Sequence, residues 1–123
     1  MKNNRFLLTI VSVVMLGIIL LSACAQEAPS PFYEARIRMV MANNAATEGE
    51  WERAEREFDL AATIQTEINS PLELGRTLFY RGQMRLERGE NNFAQADLKR
   101  AQGLFKDCGA GFWVEKTLAA DRS

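Results

Sequence analysis

The chain has 123 residues, with 15 Lys and Arg against 16 Asp and Glu, two Cys and no His. The missing histidine removes the Ser-His and Cys-His nucleophilic pairs, the commonest general base and the usual zinc ligand set. Two cysteines cannot build a disulfide framework, and the charge balance offers no basic surface for nucleic acid.

At the amino terminus Lys2 and Arg5 precede an apolar run from Phe6 to Leu21 that Thr9, Ser12 and Gly17 interrupt. The run is shorter than the roughly 20 residues a spanning helix needs, which favours a cleaved signal segment over a retained anchor. Leu21, Ser22, Ala23 and Cys24 follow a pattern of Leu, a small residue, Ala, then Cys, and this resembles the lipobox of bacterial lipoproteins. The resemblance implies a signal peptide over 1–23, a diacylglyceryl thioether on Cys24 and acylation of the new amino group. More than one acyl chain makes a stable membrane anchor. Ala25 and Gln26 stand next in place of the Asp that retains such proteins in the inner membrane, which implies an outer-membrane address in a two-membrane cell. In a single-membrane cell the same signal implies the outer face of the cytoplasmic membrane.

Residues 24–31, with Pro29 and Pro31, read as a lipidated tether that is poor in apolar side chains. The stretch from Ala25 to Pro31 reaches at most about 25 Å. The remainder of the chain, 32–123, is long enough for one small domain and too short for two. Loss of Lys2 and Arg5 with residues 1–23 deepens the acidic excess of the chain that remains.

The first helix is predicted over Pro31 to Ala46, opened by Ser30 and Pro31 and closed before Gly49. In the second, Trp51, Ala54, Phe58, Ala61, Gln65 and Ile68 recur at three and four residues and form one face. The opposite face is charged, and Glu52 to Arg56 is an i to i+4 pair in the favourable order. Ser70, Pro71 and Glu73 predict an N-cap, a first-turn proline and a capping box for the third helix. Its stripe of Leu74, Leu78, Gly82 and Leu86 contains a glycine that costs about 1 kcal/mol against Ala, so a neighbouring helix should come close there. Gly89 ends it. A fourth helix runs through Phe93, Ala94, Leu98, Ala101, Leu104 and Phe105 and stops before Gly109; Phe112 to about Ala120 makes a last, shorter one. Cys108 reads either as a small buried hydrophobe or as a thiol that pairs between chains. Phe112 and Trp113 read either as core or as a contact for a partner.

Shifting the sequence by forty residues superposes Arg36, Gly49, Glu50, Ala54 and Ala61 on Arg76, Gly89, Glu90, Ala94 and Ala101. Phe58 meets Leu98, and Thr77 and Leu78 meet Thr117 and Leu118. This constellation resembles the tetratricopeptide repeat (TPR) family: Gly49, Ala54, Phe58 and Ala61 fit its second-helix pattern, as do Gly89, Ala94, Leu98 and Ala101, while Leu78 and Gly82 fit its first. The period departs from the family's 34 residues and is similar to a longer-loop variant found in helical arms of bacterial signalling ATPases and transcription regulators. Ala42 stands where Gly is usual, and Asn91 where an aromatic is common.

The resemblance implies an all-α fold, a short right-handed superhelix of antiparallel helix hairpins, with a groove lined by the first helix of each hairpin. Carried over by matching positions, that groove presents Arg36, Met39, Asn43, Arg76, Phe79, Gln83 and Leu86. Phe79 and Leu86 would hold an apolar segment of a protein partner, with Arg36 and Arg76 on its acidic groups; the alternative is a solvated surface. Arrays of this kind usually need about three repeats and a polar cap, so the open end seals itself or binds something. The carboxylates Glu48, Glu50, Glu52, Glu55, Glu57 and Asp59 alternate with arginines and face solvent, without the burial that tunes a catalytic acid. The expectation is therefore a non-catalytic envelope adaptor without cofactor, metal or nucleic acid, with a self-associating structural lipoprotein or an accessory subunit of an envelope enzyme as alternatives.

Overall fold

A computed structural model describes residues 8–16 and 28–122. Residues 8–16 are helical (α1), and every one of them is exposed. Five more helices follow: α2 Pro31–Thr47, α3 Trp51–Glu67, α4 Pro71–Glu87, α5 Asn91–Asp107 and α6 Gly111–Arg122. The described residues form an all-α structure. No helix among them is long and apolar enough to cross a membrane.

From α2 onward each helix begins twenty residues after the last, and α2 to α5 are each 17 residues long, about 25 Å. The loops explain this regularity. In the first, Gly49 N–H bonds the carbonyl of Ala46 and Glu50 N–H bonds that of Ala45, the bond pair of a Schellman motif. The same pair recurs as Asn69 to Thr66 with Ser70 to Gln65, as Gly89 to Leu86 with Glu90 to Arg85, and as Gly109 to Lys106 with Ala110 to Phe105. The turning residue is left-handed each time, with φ of 77° at Gly49, 53° at Asn69, 76° at Gly89 and 67° at Gly109. Glycine and asparagine are the residues that bear this conformation at least cost. The residue closing each motif also accepts the first bond of the next helix, as Glu50 does from Ala54 N–H. Three residues therefore end one helix and start another, which makes neighbours antiparallel.

The capping box expected at Ser70 is absent: its hydroxyl caps nothing. Its backbone N–H, which a capping-box Glu73 would accept from, is already spent on Gln65 in the loop. Glu73 turns instead to Arg76 at 3.0 Å. Glu52 and Arg56 form no ion pair either; on that helix Arg53 pairs with Glu50 at 3.2 Å.

α2 packs on α3 and α4 on α5, and these hairpins join through α3 on α4 and α2 on α4, with α6 closing against α5. The core has two parts. The first holds Met39, Ala42, Ala45, Ala46, Ala54, Phe58, Ala61 and Met84; the second holds Leu74, Leu78, Phe79, Leu98, Ala101 and Phe105. Gly82 meets the expectation of close approach, since a Cβ there would lie 3.0 Å from Leu98 and 3.4 Å from the Ala94 carbonyl. Gly75 is tighter still, with Phe105 at 2.7 Å.

Candidate partner-binding surface

The seven residues expected to line a groove do not share one surface. Met39 and Phe79 are shut into the core, with 3% and 0% of their surface exposed. Met39 lies in the first core cluster, to which the second hairpin contributes Met84, and Phe79 is covered by the last helix, whose Trp113 ring lies 5.8 Å away. Arg36 and Asn43 are exposed on α2, while Arg76, Gln83 and Leu86 are half-buried on α4. Phe79 thus cannot hold a partner as its expected role required; it backs the surface from beneath.

Above it lies a cluster of rings and cations. Trp113 stacks on Phe105 at 5.4 Å and meets Phe79, Tyr80 and Phe112 edge-on at 5.8, 6.3 and 5.7 Å. Arg76 sits 5.2 Å from the Trp113 ring centre, and the Lys116 ammonium 4.9 Å from it. Lys116 also lies 5.6 Å from the ring of Phe79 and 5.9 Å from that of Phe112. A cation held over ring faces gains about 0.5–2 kcal/mol depending on its desolvation. The two aromatics at this junction divide: Trp113 is half-buried as a core element, while Phe112 stands 73% exposed. Thr117, 2% exposed, donates its hydroxyl to the Trp113 carbonyl at 2.7 Å and anchors the turn that carries both rings.

Sequence reasoning left this ledge out of the groove, although its signal was present. The forty-residue shift that matched Thr77 to Thr117 also places Lys116 on Arg76 and Trp113 on Glu73.

On the opposite side of α4 a valley runs between α3 and α5. Arg81 on its floor donates to both oxygens of Asp97 at 2.9 and 2.7 Å and to Asp59 at 2.8 Å. Arg85 bonds Asp97 at 2.9 Å and also Glu55, and its guanidinium lies 5.6 Å from the Phe93 ring. Burial pulls the Arg81 guanidinium toward neutrality, but the bonds and charge of Asp97 outweigh it and leave the pKa above the ordinary arginine value. The network opens into a cleft of about 530 Å³ bordered by Glu52, Arg56, Arg88 and Phe93. Its buried charges are matched to one another, so it ties two hairpins together. A looser counterpart joins the first hairpin, where Arg38 donates to Glu57 and Glu34 and its pKa is raised by those bonds.

Cys108 is exposed, which excludes the buried reading. The helical stripe ends at Phe105, and Cys108 falls on the C-cap beyond it. Leu21, Ser22, Ala23 and Cys24 lie outside the described residues. No group of three or more Cys, Asp or Glu able to hold a metal occurs among the described residues. No protein-family model, curated protein or solved structure matches this chain.

Proposed function

We propose that this protein is a lipid-anchored envelope lipoprotein whose helices form a short TPR-like stack and dock a partner protein without catalysis. The equal helix spacing, the recurring loops and the small residues at the closest helix contact support a repeat array. The observation that carries partner binding is the ledge of Phe112, Trp113, Arg76 and Lys116 at the last helix. Aromatic and arginine side chains of this kind dominate binding energy when a partner desolvates them. Arg76 is already engaged by Glu73, whereas Lys116 meets no carboxylate within 4.0 Å among the described residues. The partner segment this chemistry fits is an apolar side chain laid against Phe112 with an acidic group beside it.

A photo-crosslinking residue at position 112 in native membranes should give an adduct of defined mass, while one at position 95 on α5 should give none. Equal or absent adducts would remove the ledge from the binding surface. Self-association is the second reading, favoured by the exposed thiol of Cys108; non-reducing electrophoresis of membranes should then show a dimer that Cys108→Ser abolishes.

A further inference from the structure

α2 does not look like its neighbours from outside. Its inner face places Ala35, Met39, Ala42 and Ala46 in the core, and directly opposite, at helical spacing, come Tyr33, Ile37, Val40, Met41 and Asn44. Across from its core residues α3 carries the polar Glu52, Arg56, Asp59 and Thr63, with Leu60 the one exposed large apolar side chain beside them. On α2 the apolar members are 61%, 54%, 51% and 38% exposed for Tyr33, Ile37, Val40 and Met41, around a shallow hollow of about 220 Å³. The single charge in that hollow is Arg36, which has no acidic partner among the described residues. The only acid of the helix, Glu34, is taken by Arg38 at 3.1 Å.

Three occupants are conceivable, and the geometry separates them. The chain's own apolar helix α1 is not one, because each of its residues is itself exposed. A second copy is poorly served, since four side chains offer a few hundred Å² against about 800 Å² per partner in a stable complex. Two copies would also bring an unpaired Arg36 each and no acid to receive it. A phospholipid surface fits better. It needs only a thin apolar stripe buried at the headgroup boundary, takes a cation on its phosphates and favours aromatic rings at the interface. Phe32 and Tyr33 stand edge to face at 5.5 Å on the first turn, at the end of α2 next to the tether.

We infer that the outer face of α2, through Tyr33, Ile37, Val40 and Met41 with Arg36 on lipid phosphate, lies in the bilayer interface and holds the repeat body flat on the membrane. This rests on the anchoring reading above, because the stripe alone is small and needs a tether to keep it near lipid. With Cys24 acylated, the tether of at most about 25 Å does that.

The test uses the processed chain, extracted from the membranes of the cell that makes it, on vesicles of phosphatidylethanolamine and phosphatidylglycerol. An environment-sensitive nitrobenzoxadiazole dye is placed at Val40→Cys in a Cys108→Ser background, with Lys99→Cys on α5 as control. The dye at 40 should emit to the blue and lose intensity when the acyl chains carry bromine, while the dye at 99 keeps its aqueous spectrum in both vesicle types. Arg36→Gln should lessen the loss at 40. A chain that does not float with the vesicles overturns the anchoring reading and this inference together. A chain that floats, with a dye at 40 in an aqueous environment, overturns this inference alone. A blue-shifted dye indifferent to bromine also overturns it, since a protein surface then covers α2. Far-UV circular dichroism of each variant verifies the helices.

Discussion

Shifted by forty residues, Ala35, Ala42, Phe58 and Gln65 of the first hairpin become Gly75, Gly82, Leu98 and Phe105 of the second. Both hairpins reach the same helix length and the same loops, but they fill the space between helices differently. The first relies on alanines around Phe58. The second removes two side chains altogether and spends the room on bulk, so that Phe105 occupies what a Cβ at Gly75 would need. The junctions beyond them differ in the same sense. After the second hairpin Phe105 stacks on Trp113; after the first the corresponding positions are Gln65 and Glu73, both buried. The amide nitrogen and oxygen of Gln65, one oxygen of Glu73 and the hydroxyl of Thr77 meet no protein hydrogen-bond partner there. One junction is filled by stacked rings and the other by buried polar groups, although the backbone is the same.

The largest expected effect is at Phe105. Truncation to Ala removes a ring that is 0% exposed and should lower unfolding stability by about 3–5 kcal/mol. Gln65→Ala, at the matching position, also leaves a cavity but removes a buried amide that meets no protein partner, so it should cost less. Guanidinium unfolding followed by circular dichroism measures both, and equal costs would break the comparison. The tryptophans sharpen it, since Trp51 packs on the first core and Trp113 on the second.

Next comes the ion pair across each hairpin. Asp97, 5% exposed, holds two arginines, and Asp97→Asn should cost about 2 kcal/mol, less than a fully orphaned buried charge because Asp59 and Glu55 still serve them. Glu57→Gln, at the position matching Asp97, releases the more exposed Arg38 and should leave the unfolding midpoint unchanged. A large loss from Glu57→Gln would mean that the first hairpin depends on its ion pair as much as the second does.

Gly75→Ala sets two effects against each other. Alanine favours the helix by about 1 kcal/mol, but its methyl would meet the Phe105 ring at 2.7 Å, and stacking on Trp113 keeps that ring from yielding. Overpacking of about 1–3 kcal/mol should win, for a net loss of about 1 kcal/mol. Combined with Phe105→Leu, the same alanine should turn neutral or favourable, a coupling that a double-mutant cycle reads directly. Additive costs would show that the glycine serves something other than the ring.

Helix limits were legible because glycine and proline mark them: Gly49, Gly89 and Gly109 turn the chain, and Pro31 and Pro71 occupy first turns. Asn69 was not, since an asparagine names a left-handed turn only when the strict twenty-residue spacing is known. The close approach at Gly82 could be read from its cost alone. The surface was less legible. Periodicity places Met39 and Phe79 on one face of their helices, but whether that face is open depends on helices arriving from elsewhere in the chain. Met84 and Trp113 are those arrivals, far in sequence from Met39 and Phe79. The ion pairs divide likewise: Glu52 and Arg56 had the right local spacing, yet the arginines Arg81 and Arg85 pair with acids on two other helices.

The smallest effect asks whether the polar junction is a requirement or a tolerated remnant. Gln65 is 2% exposed and neither atom of its amide meets a protein hydrogen-bond partner; a buried amide left unbonded costs about 1–3 kcal/mol. Methionine has nearly the same length and flexibility without polar atoms, so Gln65→Met should keep the packing and raise stability by about 1 kcal/mol, or several degrees of melting temperature for a domain this size. Glu73 and Thr77 would remain polar beside it, which is why the gain stays below the full penalty. An unchanged or lower melting temperature would show that the amide is satisfied in solution and that the first junction is held by hydrogen bonds, as the second is held by stacking.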